Sequence, residues 1–196
     1  SFITVSLRSI SVSLFLLNTP PIPDEGTHSL IALFFHDFLT DFIKNPTLSF
    51  SKIYDYIISY LTHYPKLSLY YPPLLHVTIS AFYRVFDISF FTGRFVVLIF
   101  SIATLVLLYK FLGKYFDKKI ALFGTAIFSF MPMIYYNSIT VMTDIPYMFF
   151  FLLSVYIYLK ALESGQRKYF IIASIITSLA FFTKWNSILI LPIIFL

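Results

Sequence analysis

The chain has 196 residues, of which 59% are hydrophobic and only 12% are charged, and its mean hydropathy is +0.85. A soluble domain usually has about 25% charged residues, so this composition excludes an ordinary soluble protein and predicts an integral membrane protein. The absence of cysteine excludes disulfides and thiolate metal sites. The net charge is +5, and the placement of the charges is more informative than their sum.

Residues 1–18 form a first apolar run that contains Arg8, and the proline-dense stretch 18–23 ends it. A cleaved signal peptide has a similar pattern, but no small-residue cleavage site follows the run, which favours a retained first transmembrane helix. The chain does not begin with Met and stops inside the apolar run 191–196. We therefore expect a fragment of a longer protein.

Residues 19–93 differ in character from the rest, because they contain six of the nine acidic residues and all four histidines. Apolar side chains recur at helical spacing over 30–42 and 50–61, and a third helix is expected from Leu74 to about Phe86. One-sided helices of this kind lie in the membrane interface or pack on a bundle. The prediction is a long loop of amphipathic interfacial helices, and a true span over 73–92 is the alternative.

From residue 94 onward, uncharged runs alternate with short charged connections. Several runs are shorter than the roughly 20 residues that a transmembrane helix needs, but flanking Lys and Arg side chains can snorkel to the interface. We predict an all-α, polytopic membrane helix bundle in which residues 94–196 form transmembrane helices two to six, the last one incomplete. The five runs are 95–109, 120–143, 145–159, 169–183 and 185–196.

The charged connections predict the topology. The connections at 110–119 and 160–168 are rich in Lys and Arg, whereas the connection at 135–144 has neither. The positive-inside rule places the two basic connections in the cytoplasm and the third on the opposite side, together with the loop 19–93. The residues then expected at one extracytoplasmic face are Asp24, Glu25, Arg94, Asp144 and Lys184.

Short motifs follow one another in a characteristic order. They are Asp24-Glu25 after the first run, Tyr71-Pro-Pro-Leu-Leu75, Thr92-Gly-Arg-Phe95, Met142-Thr-Asp-Ile-Pro-Tyr-Met-Phe149 and Leu179-Ala-Phe-Phe-Thr-Lys184. With this ordered set the chain resembles the N-terminal half of polytopic glycosyltransferases of the GT-C superfamily. The branch that it resembles most is that of the dolichyl-phosphate-mannose protein mannosyltransferases and aminoarabinose transferases.

The resemblance implies an enzyme that transfers a sugar from a polyprenyl-phosphate donor to a hydroxyl acceptor, at the extracytoplasmic or lumenal face of the membrane. The acceptor is a protein, a lipid or a glycan, and displacement in one step predicts inversion at the anomeric carbon. A positioned carboxylate can take the proton of the attacking hydroxyl, and the resemblance assigns this role to Asp24. Glu25 would orient the acceptor or hold Asp24, and Asp144 would complete the acidic cluster.

The leaving phosphate needs a fixed positive charge in a water-poor site. The expected phosphate-binding residues are Arg94 and Lys66. Some relatives have a lysine just before the first-loop proline, where this chain has Pro72, and Lys66 is the nearby cation expected to substitute for it.

Structural interpretations of the same residues stay open. Asp24 and Asp144 could cap helices, and Arg94 and Lys184 could simply snorkel. Asp24 and His28 are four residues apart, as metal ligands on a helix can be, but no second pair of ligands has a recognised spacing. We expect interfacial or packing histidines, no certain cofactor although a divalent metal is possible, and no nucleic-acid partner.

Two functions of other classes are compatible with the hydropathy pattern: a secondary transporter and a noncatalytic membrane subunit with the same fold. Transporters often show repeated halves and broken helices near the middle of the membrane. Here the acids lie at the ends of the spans and no repeat is found, which favours the glycosyltransferase.

Overall fold

The structure is a computed structural model that describes residues 19–44, 58, 62 and 70–189. These residues form helices and no strand, which confirms the all-α prediction. The predicted first transmembrane helix at 1–18, almost all of the predicted helix at 50–61, and Lys66 lie outside the described residues. The α-helices are α1 (Pro23–Lys44), α2 (Leu74–Tyr83), α3 (Phe90–Tyr115), α4 (Lys118–Phe130), α5 (Pro132–Ser138), α6 (Asp144–Ser164) and α7 (Arg167–Phe181), followed by a 3₁₀ helix at Trp185–Leu189.

Local sequence signals set several helix ends. The Oγ of Ser89 accepts a hydrogen bond from the backbone N–H of Thr92 at the start of α3, at 3.2 Å. Asp117 caps α4 in the same way through the N–H of Ile120, at 2.7 Å. After α6, Gly165 adopts a left-handed conformation with φ of 63°, which is the usual way for glycine to end a helix.

Two described helices, α3 and α6, are long and apolar enough to cross a membrane. A third crossing is formed if α4 and α5 count as one span, but these two helices meet at an angle of 70°. The uncharged run 120–143 therefore contains a bend between two helices. The cause is Pro132, which lacks a backbone N–H and holds Met131 extended, with φ of −63° and ψ of 125°.

Two further predictions can be compared with the described helices. Helix α2 begins at Leu74 as predicted and ends at Tyr83, and a turn at 84–89 separates it from α3, so no continuous span over 73–92 forms. The span predicted at 169–183 corresponds to α7, which has 15 residues and packs along α6.

Helices α3 and α6 run in the same direction along each other. Near their starts, the ring of Phe100 lies 5.7 Å from the rings of Phe149 and Phe150. Near their ends, Lys114 forms an ion pair with Glu163. At 1.5 Å per residue, the 26 residues of α3 separate the two ends of the bundle by about 39 Å.

The two ends of the bundle differ in chemistry. At the starts of α3 and α6, helices α1 and α2 pack over a buried apolar core that contains Ala32, Leu75, Ile79, Tyr83, Val96, Val97, Val141 and Ile145. The opposite end contains the basic residues Lys110, Lys114, Lys118, Lys119, Lys160, Arg167 and Lys168. Of the predicted site residues, Asp24, Glu25, Arg94 and Asp144 lie at the first of these ends.

Candidate active site

A buried ion pair between Glu25 and Arg94 joins α1 to α3. The Nε of Arg94 donates to Oε1 of Glu25 at 2.7 Å, and Nη2 donates to Oε2 at 2.6 Å. Glu25 is 0% exposed and Arg94 is 1% exposed. Two parallel hydrogen bonds of this kind fix the orientation of both side chains as well as their distance.

Glu25 also satisfies backbone groups from two other parts of the chain. It is the third helical residue after Ile22, and its Oε2 accepts the Ile22 N–H at 3.2 Å, as a glutamate in a capping box does. Its Oε1 accepts the N–H of Val141, in the loop before α6, at 2.8 Å. One carboxylate therefore connects the start of α1, the start of α3 and the loop that leads to Asp144.

The remaining donors of Arg94 bind the segment that precedes α1. Its Nη1 donates to the carbonyl oxygen of Thr19 at 2.6 Å and to the Oγ1 of the same residue at 3.2 Å, and Nη2 donates to the carbonyl oxygen of Pro20 at 3.3 Å. All five N–H groups of the guanidinium are thus engaged. These contacts orient Arg94 towards Glu25 and the segment before α1, and its predicted contact with a phosphate stays a prediction.

The charge state of Glu25 follows from these contacts. Burial raises the pKa of a carboxyl group, but the hydrogen bonds and charge of Arg94 and the N–H groups of Val141 and Ile22 act in the opposite direction and prevail. The pKa of Glu25 therefore lies below its ordinary value, and Glu25 is the ionised partner of Arg94 at neutral pH.

Asp24, the neighbour of Glu25, is exposed and makes no hydrogen bond or ion pair with any described residue. Asp144 is the first residue of α6, and its Oδ1 accepts a hydrogen bond from the Nζ of Lys184 at 2.7 Å. The side chains of Lys184 and Asp144 are 29% and 39% exposed. Neither aspartate accepts a backbone N–H among the described residues, so neither has the capping geometry that was the alternative.

His28 lies one helical turn after Asp24 and is 3% exposed. Its Nδ1 is 3.0 Å from the Nε2 of His76 in α2, and the Nδ1 of His76 is 3.1 Å from the carbonyl oxygen of Pro72. The ring of Tyr71 lies 4.5 Å from the ring of His28. The sequence predicts interfacial or packing histidines, and only the four-residue spacing from Asp24 indicates that His28 faces the same side.

Burial lowers the pKa of both histidines. For His28 the nearby charge of Lys184 acts in the same direction, whereas the charges of Asp24, Asp144 and Glu25 oppose it. The pKa of His76 falls to about 3, by burial first and then by the neighbouring His28. The charges that act on His28 come from α1, α6 and the residue before the 3₁₀ helix, so distant parts of the chain converge around this ring.

Backbone contacts hold α2 and the end of α7 together at this site. The N–H of Leu74 donates to the carbonyl oxygen of Phe182 at 2.9 Å. The indole Nε1 of Trp185 donates to the carbonyl oxygen of Tyr70 at 3.0 Å. These contacts position Lys184, which lies between Phe182 and Trp185. Within the described ranges, no three His, Asp or Glu side chains are grouped as a metal site would require.

The chain matches the family described as dolichyl-phosphate-mannose-protein mannosyltransferase over residues 71–196. The matched region contains Arg94, Asp144 and Lys184, whereas Asp24 and Glu25 precede it and are attached to it by the contacts above. No curated protein and no solved structure matches the chain. Because the match covers more than half of the 196 residues, this integral membrane protein belongs to the dolichyl-phosphate-mannose-protein mannosyltransferase family, and its activity class is that of a membrane glycosyltransferase.

Proposed function

We propose that this protein transfers a sugar from a polyprenyl-phosphate donor to a hydroxyl acceptor, with inversion, at the end of the bundle where Asp24 lies. The observation that carries this proposal is the contrast between two adjacent carboxylates. Glu25 is buried and fully paired, and Asp24 is exposed and has no partner among the described residues.

This contrast assigns different roles to the two neighbours. A general base must be able to approach the hydroxyl whose proton it takes, within hydrogen-bond distance. Asp24 has a carboxylate available for this contact, whereas both oxygens of Glu25 are occupied by Arg94 and backbone N–H groups. Glu25 and Arg94 instead hold the start of α1 in place, so that Asp24 is presented in one orientation.

Lys184 is our candidate for the contact with the donor phosphate. It is a partly exposed cation whose charge acts on His28, and its present partner is the partly exposed Asp144. Negative charge that develops on the leaving phosphate would be stabilised by such a cation. Asp144 would then orient Lys184, and Lys66 stays a second candidate outside the described residues.

The placement of the basic residues supports an extracytoplasmic site. Lys and Arg are concentrated at the opposite end of the bundle, where Lys114 lies about 30 Å along α3 from Arg94, and positively charged connections remain on the cytoplasmic side. The end with Asp24, Asp144 and Lys184 would therefore face away from the cytoplasm.

The test is transfer by membranes that contain the full-length protein. Radiolabelled polyprenyl-phosphate mannose and polyprenyl-phosphate glucose are compared with the corresponding nucleotide sugars, and the anomeric configuration of the product is determined. We expect transfer from a lipid-linked donor, with inversion and without use of the nucleotide sugars. Transfer from a nucleotide sugar alone, or a product of retained configuration, would contradict the proposal.

Lys184→Met should raise the KM for the lipid-linked donor by about 10- to 100-fold, because a charge-assisted contact with the phosphate is lost. Lys119→Met is the matched control, since Lys119 is an exposed lysine at the opposite end of the bundle. Steady-state kinetics of both variants measure the effect. An unchanged KM in Lys184→Met would remove Lys184 from donor binding.

A further inference from the structure

The two buried histidines form a chain of hydrogen bonds whose direction is set at one end. The carbonyl oxygen of Pro72 can only accept, so the Nδ1 of His76, 3.1 Å away, must carry a proton. Since His76 has a pKa of about 3 and is neutral, its Nε2 has no proton and can only accept. The Nδ1 of His28, 3.0 Å from that nitrogen, must therefore carry a proton and donate it.

Because the proton of neutral His28 is on Nδ1, its Nε2 carries no proton and can only accept a hydrogen bond. If His28 carried its proton on Nε2 instead, two lone pairs would face each other at 3.0 Å. No described residue donates a hydrogen bond to this Nε2, although the side chain is only 3% exposed. This Nε2 is not one of the fully buried polar atoms that lack a partner among the described residues, so it is accessible to a hydrogen-bond donor from a ligand.

We propose that the Nε2 of His28 accepts a hydrogen bond from a hydroxyl group of the donor sugar, and that His76 is a positioning residue that keeps His28 in the required tautomer. This inference rests on the proposed function and extends it to sugar recognition. An ionised phosphate has acceptor oxygens but no proton to donate, so it is not a suitable partner for this nitrogen.

The surroundings of His28 are consistent with this division of the site. Asp24 and Glu25 on its own helix, Asp144 on α6 and Lys184 beside the 3₁₀ helix are the charged groups that act on it, and His76 and Tyr71 pack on its ring. In the proposed arrangement Lys184 binds the phosphate, Asp24 receives the proton of the attacking hydroxyl, and His28 binds the sugar that lies between them.

The first test is ¹⁵N nuclear magnetic resonance of the full-length protein with labelled histidines, reconstituted in lipid nanodiscs. His28→Gln and His76→Gln variants assign the ring signals. We expect a protonated Nδ1 and an unprotonated Nε2 in both residues. The Nε2 signal of His28 should shift when polyprenyl-phosphate mannose or polyprenyl-phosphate glucose is added, and should not shift with polyprenyl phosphate alone.

The second test compares two substitutions of His28, one that keeps a hydrogen-bond acceptor and one that keeps only an aromatic ring. His28→Gln retains an acceptor near the position of Nε2, whereas His28→Phe retains the ring and removes both nitrogens. We expect kcat/KM to fall roughly 10- to 100-fold in His28→Phe and to fall much less in His28→Gln, at equal thermal stability. His76→Phe should reduce kcat/KM in the wild-type background but add little to His28→Gln, because glutamine needs no tautomer control.

Three results would overturn the inference: a proton on the Nε2 of His28, a His28 signal that does not respond to a transferred donor, or a His28→Phe variant as active as His28→Gln. Asp24→Asn separates this inference from the proposed function. In that variant transfer should be lost while the donor-dependent shift of His28 persists. If transfer survives in Asp24→Asn, the proposed role of Asp24 as general base is wrong. The role of His28 is then decided by its protonation and its donor-dependent shift.

Discussion

Asp24→Asn is expected to reduce sugar transfer by about 100- to 10,000-fold, the range associated with loss of a general base. Asparagine has almost the same size as aspartate but cannot take the proton of the attacking hydroxyl. Asp24 is exposed and unpaired among the described residues, so the substitution should leave stability and the KM for the donor nearly unchanged. The loss should appear in kcat, measured with the lipid-linked donor that the wild-type protein uses.

Asp117→Asn is the matched control for this prediction. Asp117 is also an exposed aspartate at the start of a helix, but it lies at the basic end of the bundle and caps α4 through the N–H of Ile120. Asparagine caps helices as well as aspartate does, so this variant should retain full transfer. Equal transfer by Asp24→Asn and Asp117→Asn would remove Asp24 from the mechanism.

Glu25→Gln should lower the free energy of unfolding by about 3–5 kcal/mol, because it leaves the buried charge of Arg94 without its counter-ion. The neutral amide also brings an NH₂ group that cannot accept hydrogen bonds from Arg94, Val141 or Ile22. Unfolding is followed by circular dichroism during thermal or denaturant titration in detergent. Transfer should be lost as well, since the start of α1 would no longer be held beside α3.

The pH dependence of this variant provides a second readout. The pKa of Glu25 is lower in the folded protein than its ordinary value of 4.5, so the pair contributes its full stability above that value. The contribution is lost as the pH falls through the folded pKa. Wild-type protein should therefore lose stability on acidification by an increment that Glu25→Gln lacks.

Glu163→Gln is the control for the pair, because Glu163 forms an exposed ion pair with Lys114 at the opposite end of the same two helices that start at the site. Exposed pairs contribute little, and this variant should unfold like the wild type. If Glu25→Gln were as stable as Glu163→Gln, the Glu25–Arg94 pair would not be what holds α1 to α3.

Several features could be predicted from the sequence because they depend on local signals. Composition and long apolar runs indicated an all-α membrane bundle, and the proline pair before Leu74 marked the start of α2. The positive-inside rule, applied to the Lys and Arg residues of the connections, predicted that acidic and basic residues lie at one membrane face. Glu25 contacts Arg94 and Asp144 contacts Lys184, so members of this set lie together in pairs, and their common location at the extracytoplasmic face stays a prediction.

The division of roles within the site could not be predicted in the same way. Asp24 and Glu25 are adjacent carboxylates, and only the orientation of α1 decides which one faces Arg94 and which one faces outward. The pairing of His28 with His76 joins residues 48 positions apart, a contact that no periodicity reveals. The bend at Pro132 depends on whether neighbouring helices accommodate a break, so the uncharged run around it resembled one span.

The central claim is that the site lies at the non-cytoplasmic face, and labelling of single cysteines tests this directly, because residues 1–196 contain no cysteine. Asp87→Cys and Asn186→Cys lie at exposed positions near the site, and Gln166→Cys lies in the exposed connection between α6 and α7. In sealed right-side-out vesicles, a membrane-impermeant maleimide should label the first two variants, and should label Gln166→Cys only after detergent is added. Labelling of Asp87→Cys and Asn186→Cys from opposite sides, or of Gln166→Cys alone in sealed vesicles, would contradict a site at the non-cytoplasmic face.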